Sequence, residues 1–498
     1  MNAIGIDVGT TNICAIRINY ETGTIEKSVT KNSNAFINGS NQWEKLQYVD
    51  KIMNIATEII DSMINADTVV IGVTGQMHGI VYIDKNGLAI SPLFTWQDGR
   101  GNQPYNDTTY ANHLRSFSGY GNVTDFYNRI NGIRPESAVS YCTISDYLVM
   151  RICSLTKPII HESNAAGFGL YDMDSNKFNY DFNPEITSGY TLAGTYKGIP
   201  VSVAIGDNQA SVFSTLANDN SVLVNIGTGS QVSLISDTPV YGNDIEVRPY
   251  FDNKYLIVGS ALCGGRAYAL LKDFFKGIVS YFKDVEDDEI YEVMNKFVSR
   301  YASSSISVDS RFAGTRSDPD KKGVIRYVTT ENFTAPELTV AFIEAIATEL
   351  YCLYLGSKLQ RTGLVASGNA VRKNTALIKA LEKKFSTFLL LPEHIEEAAF
   401  GAALYALIAC GKFRNSKEAH SLIKYQHNRD LINPSQVGSK IMALRKEKNM
   451  TQAELAQFLN VSNKAVSRWE NGQGFPDVTL FPKLAILFDV TVDYLMKE

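Results

Sequence analysis

The chain has no C-x-x-C pair: its six cysteines, Cys14, Cys142, Cys153, Cys263, Cys352 and Cys410, are scattered over 498 residues. In a chain this long, that usage argues against a disulfide framework and fits reduced thiols in a cytoplasmic protein. The six histidines show no metal-type spacing, and no G-x-x-x-x-G-K-[ST] loop occurs, which argues against a P-loop ATPase. Long apolar runs are missing as well. The longest mostly apolar stretch, Ala398 to Cys410, is too short to span a bilayer, and the first residues read as a strand, not as a signal peptide. Neither sign of charge dominates: 47 Lys and Arg stand against 52 Asp and Glu, net −5, which does not suggest a whole-protein binder of nucleic acid or membrane. With 45% apolar and 20% charged residues, the chain has enough material for sizeable cores, and its length suggests about three domains.

What is present is a pattern used twice. Ile4-Gly5-Ile6-Asp7-Val8-Gly9-Thr10-Thr11-Asn12 is an apolar run followed by glycine and hydroxyl residues, and Val222-Leu223-Val224-Asn225-Ile226-Gly227-Thr228-Gly229-Ser230 repeats it in mid-chain. Glycines let a backbone approach an anion closely, and hydroxyls with backbone N–H groups donate to phosphate oxygens. One such loop in each half suggests a duplicated fold that grips one phosphate chain from two sides. Strand-like runs (Thr68–Val73, Gly79–Asp84, Pro200–Ile205) alternate with helical patterns (Tyr48–Met63, Ala335–Leu359), which favours α/β layers. A boundary is expected near Leu216–Ser221, giving a first domain over 1–218 and a second over 219–416. A polar linker follows over 417–436, and 437–498 reads as short helices alone.

Several segments carry candidate chemistry. Asp7, at the end of a strand beside a phosphate loop, suits a magnesium ion or a water of its shell; the plainer reading is a turn aspartate. Gln76, Met77 and His78, then Trp96, Asp98 and Arg100, bring polar groups and an aromatic face together as a polyol requires. Taken singly, the plainer readings are better: a core histidine, a packed tryptophan, a surface ion pair. Val203 to Ser211 delivers Asp207 to the carboxyl end of a strand, where ligands bind in α/β sheets and where a carboxylate can take a proton from a hydroxyl. Its plainer reading is a helix cap. Gly264-Gly265 and Gly368-Asn369 each follow an apolar strand and precede a helix.

In this order the segments resemble the FGGY carbohydrate kinases over roughly residues 1–415. The resemblance implies two ribonuclease-H-like α/β domains of the actin/hexokinase ATPase type, with ATP and sugar bound in the cleft between them. It implies Asp207 as catalytic base, and Gln76, Met77, His78, Trp96, Asp98, Arg100 and Asn208 at the sugar. It places Thr10, Thr11, Asn12, Gly227, Thr228, Gly229, Gly264, Gly265, Gly368, Asn369 and Asn374 at the nucleotide, and Asp7 at Mg2+. Glu396 to Ala403 resembles the helix that closes the nucleotide site. Within the family the wording is nearest the sedoheptulokinases, through Thr-Trp-Gln-Asp-Gly-Arg and Gly-Asp-Asn-Gln-Ala-Ser, while Gln-Met-His-Gly is shared with xylulokinases. Arg266 stands where the pattern has Asn.

Residues 437–496 resemble the phage-repressor/Cro type of helix-turn-helix, through Thr451-Gln452-x-x-Leu455-Ala456, Val466-Ser467-x-Trp469-Glu470-Asn471-Gly472 and Val490 to Leu495. Thr451 to Glu454 fits a capping box. The resemblance implies helices over Gln452–Leu459 and Asn463 to about Glu470, with Asn463, Lys464 and Ser467 facing the bases of double-stranded DNA. It puts Gln452, Arg468 and Asn471 near phosphates, and Val466 and Trp469 inside the module. Residues 440–470 hold six Lys and Arg against three Asp and Glu. So modest a bias implies weak binding per module and a need for a homodimer on a palindromic site. The alternative to an enzyme with a DNA-binding appendage is a sugar-responsive transcription regulator whose kinase half only senses ligand.

Overall fold

The computed structural model describes the whole chain except residues 176, 181–183, 228, 301–302, 319, 427–433, 473, 478–479 and 497–498; side chains at 299–300, 434–436, 493 and 496 are also outside the description. The chain forms two compact units, Met1–Lys424 and Tyr425–Glu498.

Two sheets of the first unit are built on one plan. Strand Asn2–Val8 pairs antiparallel with Asn12–Asn19, and Asn12–Asn19 does so with Ile25–Asn32. On its other side Asn2–Val8 pairs parallel with Thr68–Gly75, which pairs parallel with Ile199–Gly206. In the second sheet Ser221–Ile226 pairs antiparallel with Ser230–Ser236, which pairs antiparallel with Lys254–Ala261. Ser221–Ile226 pairs parallel with Gly363–Ser367, and that strand with Leu389–Pro392. Strand for strand the plan is the same, as the repeated loops led one to expect. Asp7 lies opposite Thr74, and Asn225 lies opposite Ser367, in equivalent parallel pairs.

The central strands are buried on both faces, which is why they read as nearly continuous apolar runs. Ile4, Ile6, Val8, Ile71 and Val73 are fully buried in one core, with Ile52, Ala56 and Ile59 of helix Val49–Met63 against them. Val222, Val224, Ile226 and Leu364 anchor the second core. Helix Ala335–Gly356 is long and apolar enough by composition to cross a membrane, yet Ala341, Ile343, Ile346 and Leu350 are buried in that same core. The strand expected over Gly79–Asp84 shortens to Val81–Ile83, because His78 takes φ 71° and turns the chain just before it.

Helix Glu397–Ala409 follows the second sheet in sequence but lies on the first. A Cβ on Gly5 would meet Ala399 O at 1.8 Å, one on Gly72 would meet Ala402 O at 2.0 Å, and one on Gly401 would meet Ala210 O at 1.9 Å. Only glycine permits main chain to rest on main chain this closely.

In the second unit, helices Pro434–Glu447, Gln452–Leu459, Asn463–Glu470, Phe481–Phe488 and Val492–Met496 enclose Ile441, Leu455, Val466, Trp469, Leu484 and Leu495. Both bonds of the Thr451/Glu454 capping box are made, and Ser462 Oγ caps the next helix by accepting from Ala465 N at 3.2 Å.

Candidate active site

Two carboxylates stand at the same end of the first sheet. Asp7 is the penultimate residue of its strand, and Asp207 opens helix Asp207–Thr215 directly after strand Ile199–Gly206. Asp7 Oδ1 is buried without a hydrogen-bond partner. Burial, then the charges of Asp207 and Glu396, push its carboxyl up to about 8. Burial raises Asp207 to only about 6, because Arg248 and the N–H groups of Asn208 and Asp207 itself favour its charged form. Environments that push two carboxyls apart assign them different tasks. Asp207 is ionised at neutral pH and fit to accept a proton, whereas Asp7 is a buried oxygen in need of a cation. The donor set therefore suits a hard divalent ion. Among the described residues no group of three or more His, Cys, Asp or Glu could hold a metal alone, so further ligands would have to be phosphate oxygens and water.

The end of strand Ile199–Gly206 is tied in place. Gly206 N donates to Ser163 Oγ at 3.0 Å, and Ser163 Oγ lies 2.8 Å from His161 Nδ1. His161 Nε2 lies 3.1 Å from Gly189 O and donates to that carbonyl, which leaves Nδ1 to accept from the serine hydroxyl. Burial pushes His161 down to about 4, so it is neutral at working pH. Met77 packs alongside: a Cβ on Gly206 would meet its Sδ at 2.7 Å. Asn208 contributes a second buried oxygen without a partner, Oδ1.

A polar wall joins the first phosphate loop. Trp96 Nε1 donates to Thr10 Oγ1 at 2.9 Å, Thr10 Oγ1 donates to Gln76 Oε1 at 3.3 Å, and Gln76 Nε2 donates to Gln47 Oε1 at 3.0 Å. Gln47 Nε2 closes the circuit on Thr10 O at 2.7 Å. Thr11 and Asn12 are exposed beside it. His78 stacks on Tyr120 with centroids 4.3 Å apart, and its Nδ1 lies 2.8 Å from Gly167 O. Burial, then Arg248 and Arg316, push it down to about 3. A neutral ring that donates from Nδ1 to a carbonyl presents Nε2 as an acceptor, which suits a sugar hydroxyl.

Asp98 and Arg100 were expected among the sugar contacts, but they are turned inward, 1% and 2% exposed. Arg100 Nε donates to Asp98 Oδ1 at 2.6 Å, and Arg100 N and Lys45 N also donate to that carboxylate at 3.0 Å. Arg100 also bonds Asn128 and lies 4.2 Å over the Phe94 ring. With its donors and acceptors taken inside the wall, the pair shapes the loop that carries Trp96. A pocket of about 510 Å³ opens beside that loop, lined by Lys45, Trp96, Gln97, Gly99, Asn102 and Ser118 and also by Asp98.

The glycines of the second half converge. A Cβ on Gly264 would meet Ser230 Oγ at 2.2 Å, one on Gly265 would meet Gly227 O at 2.3 Å, and one on Gly368 would meet Ile226 O at 2.5 Å. Gly368, at φ +94°, also holds a backbone conformation that favours glycine. Gly227 N donates to Gly229 O at 2.9 Å, while Thr228 lies outside the described residues. Asn369 opens a short helix, Asn369–Lys373. Asn374 Oδ1 is spent on capping helix Thr375–Phe385, accepting from Ala376 N and Leu377 N at 3.1 Å, and the same side chain is bonded to Tyr268. Glu397, raised to about 7 chiefly by burial, is bonded to Ser367 and Gly368, and Glu396 beside it acts on Asp7. The start of one helix therefore bonds the Gly368 turn and sets its charge near Asp7.

Sequence reasoning missed Gln47, His161, Ser163, Arg248 and Arg316. None sits in a glycine-marked segment, and each is brought in by pairing between elements distant in sequence. Arg248 donates to Glu246 at 2.7 Å, and Arg316 also pairs with Glu246 while lying 5.5 Å over the Phe117 ring.

Residues 2–187 match the FGGY family of carbohydrate kinases, N-terminal domain. This stretch carries the FGGY N-terminal domain. Residues 441–495 match the family described as helix-turn-helix, so the chain joins an FGGY carbohydrate-kinase fold to a helix-turn-helix domain. It is 28% identical over 390 residues to the sedoheptulokinase of Mus musculus, covering 68% of this chain and 80% of that protein. Its C-terminal part is 42% identical over 57 residues to the HTH-type transcriptional activator BcrR of Enterococcus faecalis, covering 11% of this chain and 28% of that one. In fold it is similar to the xylulose kinase of Rhodospirillum rubrum, with TM-score 0.74 at 16% identity over 86% of this chain and 93% of that one. The two-domain actin/hexokinase-type architecture expected of such kinases is present, with a helical C-terminal domain appended.

In the helix-turn-helix domain Asn463, Lys464, Arg468 and Asn471 are exposed, and Ser467 is half-buried. Gln452 is engaged from within: its Nε2 donates to Glu470 Oε2 at 2.8 Å, and Glu470 is held by Arg445 Nε at 2.6 Å and a second Arg445 nitrogen at 2.9 Å.

Proposed function

We propose that the protein transfers the γ-phosphoryl group of ATP to the terminal primary hydroxyl of a ketose, with sedoheptulose as the preferred acceptor over xylulose. In this reading residues 1–218 bind sugar and supply the base, and 219–416 bind nucleotide. The observation that carries it is Asp207: a buried carboxyl, still ionised at neutral pH, at the carboxyl end of a strand beside a second, unpaired carboxyl oxygen. A ligand-sensing module has no need of such a group.

Asp207 takes the proton of the attacking hydroxyl as its oxygen bonds to phosphorus and the bond to the leaving ADP oxygen breaks. Catalysis of this type is mostly positioning and charge stabilisation. Trp96 and His78 Nε2 orient the sugar, the buried Gln76 holds Thr10 and with it the wall that carries Trp96, Asn208 Oδ1 accepts from the sugar, and Thr10 with the clustered glycines cradles the phosphates. Mg2+ held in part by Asp7 would neutralise charge on the phosphates and keep that carboxyl ionised. The preference for sedoheptulose is supported by the 28% identity to a sedoheptulokinase over most of the kinase part.

The exposed Asn463, Lys464 and Arg468 favour a second role for the C-terminal domain, binding of double-stranded DNA. An ADP-release assay over sedoheptulose, xylulose and other ketoses tests the main reading, with highest kcat/KM expected for sedoheptulose. No turnover with any ketose, combined with sugar-dependent binding to DNA from the gene's own upstream region, would replace it with the regulator reading.

A further inference from the structure

Helix Gly265–Val279 leaves one face uncovered. Leu270, Phe274 and Ile278 are 49%, 56% and 51% exposed, and just past the helix end Tyr281 and Phe282 are 87% and 86% exposed. A spacing of four residues keeps the first three on one stripe. Val293, on the adjacent helix Asp287–Arg300, extends it at 44%. Gly277 lies on the same side, with nothing within 4 Å of where its Cβ would be. The other side of the helix is firmly seated: Ala267, Tyr268 and Leu271 belong to the second core, and Lys272 and Lys276 bind Asp287 at 2.7 and 2.5 Å. The stripe is therefore a fixed surface of the fold.

We propose that this stripe is the contact between two copies of the chain, paired antiparallel about a two-fold axis near Phe274 and Ile278. The area fits. Aromatic side chains bury about 150–250 Å² each; Tyr281 and Phe282 have nearly all of it to give, and the half-exposed Phe274, Leu270, Ile278 and Val293 add to them toward the roughly 800 Å² per partner of a stable interface. Gly277 gives the second main chain room to approach, which offsets what a glycine inside a helix costs in stability. The charges fit too. Arg266, exposed at the start of the helix, lies opposite the turn of the second copy that carries Asp284 and Glu286, both exposed, and two-fold symmetry makes that pairing twice. Arg266 is also the residue by which this chain departs from the pattern of its segment. A second copy is the occupant that the helix-turn-helix domain requires, since such domains read two half-sites as dimers.

Light scattering on the full chain, run on a sizing column at micromolar concentration, tests this. The chain is expected at twice its 55.1 kDa. Phe274→Glu with Ile278→Glu is expected to run as a monomer, with unchanged circular dichroism and unchanged ADP release. Arg266→Glu is expected to weaken the dimer, and adding Glu286→Arg is expected to restore it. A monomeric wild type, with the stripe covered by its own C-terminal domain or by another protein, overturns the proposal. A double variant that remains dimeric overturns it as well, and a charge swap that fails to restore association overturns the antiparallel pairing.

Discussion

Trp96 hands its indole N–H to the Thr10 hydroxyl across 2.9 Å, so the aromatic wall and the first phosphate loop hold each other in position. Replacing Trp96 with Phe keeps a ring and removes the donor. One neutral hydrogen bond contributes about 1 kcal/mol to the fold, so the melting temperature is expected to fall by about 2–4 °C or less, and kcat/KM for the sugar is expected to fall about fivefold. Steady-state kinetics beside a thermal melt check this.

Asp207→Asn keeps the shape of the side chain and removes its basicity. Loss of general-base help is expected to lower kcat by about 10²–10⁴, with circular dichroism unchanged. A variant that turns over at the wild-type rate would remove Asp207 from the role of base.

Ser163→Ala leaves Gly206 N–H, one residue before Asp207, without its acceptor. A buried donor left unmade costs about 1–3 kcal/mol. Both stability and kcat are expected to fall, while KM for ATP stays constant because the glycine cluster of the second half is untouched. Full kinetic curves in both substrates separate these effects.

Acid should destabilise the kinase unit through His161. Its folded pKa, about 4, lies below the unfolded value of about 6.5. The unfolded chain therefore binds the proton first, and the stability contributed by the neutral ring is present above pH 6.5 and lost as pH falls toward 4. Asp146, raised to about 7 by burial, has the opposite sign: its contribution is present at low pH and lost as pH rises through 7. Denaturant melts of wild type and His161→Gln between pH 4 and 7 isolate the histidine, and a shallower acid slope is expected in the variant.

In the C-terminal unit the Arg445–Glu470 pair is buried, with side chains 10% and 1% exposed. Removing one partner of a buried pair costs about 3–5 kcal/mol, a large share of the stability of so small a domain. Arg445→Met is expected to unfold that unit while ADP release by the kinase part continues. Calorimetry paired with the kinase assay checks this.

Much of the fold was legible because its signals are local. The two Gly-Thr loops stand at the ends of topologically equivalent strands, and the helices Gln452–Leu459 and Asn463–Glu470 begin where Thr451 and Ser462 cap them. Asp7 and Asp207 were legible because strand ends deliver them. The inward turn of Asp98 and Arg100 was not, since it depends on Asn128 and the Phe94 ring, which sequence spacing does not bring near. Gln47, His161 and Arg248 were hidden for the same reason. The packing of helix Glu397–Ala409 on the first sheet, not the second, was likewise beyond a linear reading, because Gly5 and Gly72 look like ordinary strand glycines until the helix lies on them.

That last contact limits how the kinase unit can move. Where Gly5, Gly72 and Gly401 meet their neighbours there are no side chains to change rotamer, so the joint has no soft parts. It can slide or swivel as one piece but cannot slacken. Because Glu396 at its head sets its charge near Asp7 and Glu397 bonds Gly368, any swivel moves the Asp7 strand end and the Gly368 turn together, as a single shaft turns two jaws.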